Sequence, residues 1–245
     1  KAYTSELREY IAFANSGYLT PNPIGAVANQ DLHGLSNIDY VIVSAPTHRA
    51  SAEALAAIHE GLGTSTLVVS QQEIFNEFSC GNPDVTAIRM LMKMLYDRAE
   101  GNEDLKPKNL LLFGDGSYSQ NRGLASFNGT NVILYETTES LRPLYSSVSD
   151  DYFVLLGPDD DESSLKSLDA GVGRIPASEF AEGAAYVEKV RAYLAQNSTL
   201  SGGASCLGDE TQSPFGAWRN LVVFVADDQD GNGGANEAFH LNDAD

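Results

Sequence analysis

The stretch that decides the fold is "NLLLFGDG", Asn109–Gly116. An apolar run, Leu110 to Phe113, stops at a carboxylate set between two glycines, and a polar segment follows. A short unbroken apolar run closed by turn residues reads as a strand buried on both faces, the kind that fills a parallel sheet. Asp115 at such a strand end is open to three readings: catalytic carboxylate, metal ligand or corner of a turn. An Asp between glycines readily bonds its own turn, which favours the last. No Gly-Lys-Ser/Thr follows, so this is not a Walker loop. The third glycine and following helix of a dinucleotide fingerprint are missing as well.

Working outward, further apolar runs recur. "IDYVIVSAP" (38–46) and "STLVVS" (65–70) precede this strand, and "NVILYET" (131–137) follows as an expected fourth. "DYFVLLG" (151–157), "DAGVGRIP" (169–176) and "WRNLVVFVADDQD" (218–230) are expected strands of a second half. Helical segments alternate with them. "THRASAEALAAIHEGLG" (47–63) places Leu55, Ile58 and Leu62 at helical spacing, with Gly61 and Gly63 as its close. "QQEIFNEFS" (71–79) is a short helix or turn. "NPDVTAIRMLMKMLYDRAEG" (82–101) has Asn82 as expected cap, Pro83 at the first position and Asp84 near the positive end of the dipole. Val85, Ile88, Met92 and Leu95 share its apolar face, and Met90, Met92 and Met94 read as core filler. "SEFAEGAAYVEKVRAYLAQ" (178–196) is the last helix, with Ser178 as its expected cap and Phe180, Ala184, Val187, Arg191 and Leu194 giving its period. Strands alternating with helices predict an α/β fold on a mainly parallel sheet with right-handed crossovers. The expected organisation is an irregular or β lead-in at 1–35, a first α/β subdomain at 36–138, and the opening of a second at 139–245, truncated within its pattern.

The 245 residues carry a formal charge of −19. That charge argues against nucleic acid and anionic lipid as direct partners, since both require Lys/Arg surfaces. It suits a salt-rich outer compartment and divalent cations, or simply an acidic domain. No run reaches the roughly 18 apolar residues of a membrane helix, so no direct membrane insertion is expected. The abrupt ends, "KAYTSELREY" and "HLNDAD", read as cuts through a longer protein. The two cysteines, Cys80 and Cys206, lie far apart in no metal-like spacing; a disulfide and two free thiols are both open.

Three strand ends carry conspicuous polar groups: Gly114–Gly116, Gly171–Arg174 and Asp227–Asp230. In "DDQDGNGGANEAF", Asp228, Asp230 and Asn232 alternate as in a calcium loop, but Phe239 stands where an EF-hand needs a bidentate Glu. The candidate metal ligands, for calcium, are Asp150, Asp151, Asp228 and Asp230. The run Asp159–Glu162 reads as a solvated loop. His33, His48, His59 and His240 show no spacing that ties one of them to Cys80 or Cys206 as a nucleophile–base pair. His48 follows a strand end and faces an expected crevice, and His59 reads as a boundary residue of its helix. Scattered this way, they do not form a zinc set either.

Taken in order, "NQDLHG", "QQEIFNEFSCGNPDVTAIRMLMKMLYDRA", "NLLLFGDGSY", "YSSVSDDYFVLL", "GVGRIPAS" and "WRNLVVFVADDQD" closely resemble the gingipain-type cysteine peptidases, and among them the sortases of the type IX secretion system. The resemblance runs from Tyr10 to Asp230. It implies a caspase-like, three-layer α/β sandwich of two side-by-side subdomains. It further implies a cell-surface protein at the outer membrane, acting on secreted cargo and working with secretion-system components. There such enzymes remove C-terminal sorting domains and pass the new carboxyl end to a lipopolysaccharide-type acceptor. The family's catalytic His lies in a Gly-His-Gly motif and its Cys follows one strand later, both beyond the region matching "FVADDQD". This sequence contains neither, so the resemblance assigns no catalytic residue here and implies no peptidase activity for this chain alone. Cys80 lies where the family also tolerates Ser, and Ser119 stands where the family's Gly-Asp-Gly-x-Tyr-Asp-x-Arg pattern has Asp. Arg122 is expected to anchor the following loop, against Asp150 or Asp151.

Overall fold

The computed structural model describes residues 25–117, 129–137, 146–158 and 167–194, together with 11, 12, 14, 17, 20, 22 and 23. The chain divides into two compact units, Lys1–Gly183 and Ala184–Asp245. Of the second, the described residues are 184–194, within one helix. The expected strand at 218–230, Asp228, Asp230, Cys206, His240 and Arg122 lie outside the described residues.

The first unit is built on a four-stranded parallel sheet. Its strands are β1 (Tyr40–Ser44), β2 (Thr66–Ser70), β3 (Asn109–Phe113) and β6 (Gly171–Ile175), in the order β2-β1-β3-β6. The register is continuous: Ile42 faces Val68 on one side and Leu111 on the other, and Leu111 faces Gly173. The central strands are apolar on both faces, as helices above and below a parallel sheet require. Val41, Ile42, Val43, Leu110, Leu112 and Phe113 are all buried. The strand expected to belong to a second half, β6, is hydrogen-bonded to β3 in this same sheet.

Helices α1 (Arg49–Glu60), α2 (Gln71–Phe78) and α3 (Val85–Arg98) make the connections. The start of α2 is set by a capping box: the Ser70 side chain accepts the Glu73 N–H, and the Glu73 carboxylate accepts the Ser70 N–H. Helix α3 starts two residues later than the sequence predicts. Asp84, not Asn82, is its cap and accepts the Thr86 N–H at 2.8 Å, whereas Asn82 is held in a turn with Ser79. Ile88, Leu91, Met92 and Leu95 bury one face of α3. Each such side chain contributes about 1.5–3 kcal/mol through burial. Met92 is core, but Met90 lies exposed on the opposite side, and Leu62 is exposed in the turn that ends α1.

Two expected strands take other forms. "NVILYET" crosses the sheet end instead of extending it. Its Asn131 makes one parallel bridge with Asp115, and its last residues form β4 (Tyr135–Glu136), paired antiparallel with β5 (Val148–Ser149). "DYFVLLG" is a 3-10 turn over Asp151–Val154 followed by extended residues. Val132, Ile133, Phe153, Val154 and Leu156 are buried in both cases. Burial requires an apolar run but not a strand, which explains the difference. Helix α4 (Phe180–Leu194) lies within its predicted span, 178–196, and starts one residue later than a Ser178 cap would set. At its start Ser178 donates its N–H and hydroxyl to the Glu182 carboxylate, the reverse of the expected cap, and Phe180 is exposed.

Candidate functional site

In a parallel sheet, ligands bind beyond the carboxyl ends of the strands where the winding direction reverses. Here the chain steps from β1 outward to β2, then returns to the other side of β1 with β3, so the reversal lies between β1 and β3. The chain itself fills this place. The Asp115 N–H donates to the Thr130 carbonyl at 3.1 Å, the Val132 N–H to the Asp115 carbonyl at 2.8 Å, and the Thr47 N–H to the Gly129 carbonyl at 2.8 Å. Close approach of backbones decides the glycine: a Cβ on Gly114 would lie 2.6 Å from the Thr130 carbonyl oxygen, and its φ is +156°. The Asp115 carboxylate accepts the Gly116 N–H at 2.8 Å, so it serves as the corner of the turn.

Two side chains pin the crossing segment. Gln71, buried at the start of α2, donates its amide to the Asn131 carbonyl and accepts the Ile133 N–H, standing in for a neighbouring strand. Arg174, near the end of β6, is the larger anchor. Its Nε and Nη2 donate to the two Asp150 carboxylate oxygens at 2.9 and 2.8 Å. Its Nη1 reaches the carbonyls of Val132 (2.9 Å), Gly114 and Asp115 (both 3.3 Å), and Nη2 that of Ile133 (3.1 Å). The planar fork supplies several donors in fixed directions, which a lysine does not. Asp150, expected as a cation ligand, therefore has both oxygens engaged by a guanidinium. Asp151 is exposed, and no group of three or more metal-ligating side chains occurs among the described residues. In the sequence Arg174 stands out only as one polar residue at a strand end, and Gln71 carries no motif signal. The available signal was a lone Arg inside an otherwise apolar and glycine strand.

His48 also lies at this end. It is fully buried and stacks on Phe113 with 5.4 Å between ring centroids. Its Nε2 lies 2.9 Å from the Ala177 carbonyl, which can only accept, so Nε2 carries the proton. Among the described residues its Nδ1 has no hydrogen-bond partner. A Cβ on Gly183 would sit 2.8 Å from that nitrogen, so glycine is the residue that fits. His48 thus packs the β6–α4 corner and does not face an open crevice. Cys80 is a free, exposed thiol in the turn between α2 and α3, and neither His48 ring nitrogen is bonded to it. His59 packs edge-on to Tyr40, and burial lowers its pKa. His33 stacks on Phe78 and pairs with Glu77. Among the described residues, this sheet end positions backbone and carries no exposed nucleophile–base pair.

The family model of peptidase family C25 matches residues 33–244. No curated protein matches the chain. The crystal structure of dimeric latent PorU from Porphyromonas gingivalis is similar, with 34% identity and a TM-score of 0.61 over 73% of this chain. The match spans 18% of that PorU chain. Family match and fold agree, and the chain belongs to peptidase family C25, the gingipain-type cysteine peptidases.

Proposed function

We propose that this chain is part of a sortase of the type IX secretion system, which removes C-terminal sorting domains from secreted cargo at the cell surface. The observation that carries this reading is the likeness to PorU, 34% identity over 73% of the chain with a shared fold. The chemistry that goes with it is attack of a cysteine thiolate on the scissile carbonyl, with an imidazole moving the proton and N–H donors stabilising the oxyanion. In this reading the residues described here are the support on which such a site rests. Cys80 and His48 do not form the dyad, and this chain alone has no peptidase activity.

The experiment has two arms. Deleting the gene in its source organism should leave cargo carrying an uncleaved sorting domain; normal processing would refute the sortase reading. The isolated chain should not cleave a peptide spanning a cargo sorting junction. Thiol-dependent cleavage abolished by Cys80→Ser or Cys206→Ser would refute the assignment of the dyad elsewhere. Loss of cargo attachment with processing intact would favour a docking module of the secretion complex instead.

A further inference from the structure

The motif "NQDLHG" has no part in the sheet-end site, yet it makes a dense set of contacts. Glu77, near the end of α2, accepts the Leu32 N–H at 2.7 Å and the Gln30 side-chain amide at 2.8 Å on one oxygen. Its other oxygen accepts the His33 N–H at 3.0 Å and lies 2.6 Å from His33 Nδ1. Gln30 also donates to the Glu73 carbonyl and accepts from Asn76. Leu32 is buried in the core cluster, the His33 ring stacks on Phe78 at 4.5 Å, and Arg98 donates to the Leu35 carbonyl.

What surrounds this patch matters as much. Residues 25–29 before it and 36–37 after it are exposed, and Asn37 has a φ of +58°. Between Leu35 and β1 the chain therefore has a short exposed joint. The segment can leave α2 without withdrawing a strand from the sheet: of its side chains Leu32 is the one fully buried in the core, and Leu35 is half-buried against it.

We propose that residues 30–35 are a releasable strap, clipped to α2 through the Glu77 carboxylate, which opens locally while the parallel sheet stays folded. Opening the strap uncovers the seat of Leu32 and leaves Glu77 to water. Because the Leu32, Gln30 and His33 donors keep the Glu77 carboxylate ionised far into acid, mild acidification does not open the clip.

Amide hydrogen exchange on the full chain tests this, because the Leu32 and His33 amides are themselves donors to Glu77. Glu77→Ala should accelerate exchange at these two amides by about tenfold or more, the loss expected for hydrogen bonds to a charged group. Exchange at these two amides should depend only weakly on sub-denaturing urea, whereas exchange at Val41–Val43, which requires the sheet to unfold, should rise steeply with it. Unchanged exchange at Leu32 and His33 in Glu77→Ala, or a urea dependence there as steep as at Val41–Val43, would overturn the proposal. Should Glu77→Ala fold poorly, His33→Ala provides a milder variant with the same expected pattern.

Discussion

Arg174 and Glu77 perform mirrored tasks in two regions of the first unit. One guanidinium gathers backbone carbonyls near the carboxyl ends of β3 and β6, and one carboxylate gathers backbone and side-chain N–H groups beside α2. The difference lies in what each holds. Arg174 joins β3, β6, the crossing segment 130–134 and Asp150, all of them parts of the core framework. Glu77 holds a strap with one fully buried apolar side chain, Leu32, and one half-buried, Leu35. The first charge is woven into global stability and the second into a local equilibrium.

The largest expected effect follows from that contrast. Arg174→Met would strand the Asp150 carboxylate and several carbonyls in a region where the Arg174 side chain is only 13% exposed. A loss of about 3 kcal/mol or more in urea unfolding is expected. Arg174→Lys should recover little of it, because an ammonium does not make the bidentate pair. Near-parent stability of Arg174→Met would erase the distinction between the two regions. Gly114→Ala should come next, at about 2 kcal/mol, since its Cβ meets the Thr130 carbonyl at 2.6 Å.

The smallest effect is an acid one, at Glu77. Burial pushes this carboxyl up, but the donors Leu32, Gln30 and His33 outweigh it and bring it down to about 2, from an ordinary 4.5. A depressed carboxyl contributes stability that is present above the unfolded-state value and lost as pH falls through the folded one. The Glu77 contribution should therefore be full at pH 5 and fade toward about pH 2, amounting to about 1–2 kcal/mol after solvent screening. Comparing parent and Glu77→Gln unfolding between these limits checks it. Equal acid slopes would show that the strap carries none of the linkage.

Much of the framework was legible in advance. β1, β2, β3 and β6 are short apolar or glycine-rich runs bounded by turn residues, and α1, α2, α3 and α4 form in the segments where helices were expected. "NVILYET" and "DYFVLLG" misled because a buried apolar run looks alike whether it lies in a ladder, a crossing segment or a 3-10 turn. The anchors were less legible. Arg174 finds its partners 24 to 60 positions away, and Gln71 finds its own 60 and 62 positions away. His48, a candidate by its place after a strand, is buried, and the reason is the helix start packed over it at Gly183.

By itself the amino-acid sequence determined the α/β class, the positions of the central strands, the turn role of Asp115 and the family. These rest on local periodicity, turn chemistry and long contiguous motifs, all of which are written along the chain. The tertiary structure alone decided that β6 joins the first sheet, that Asp150 pairs with Arg174, that "NVILYET" crosses the sheet end, and that "NQDLHG" clips onto α2. Those outcomes depend on which backbone groups would otherwise be buried without a partner, and that is settled only when distant segments meet.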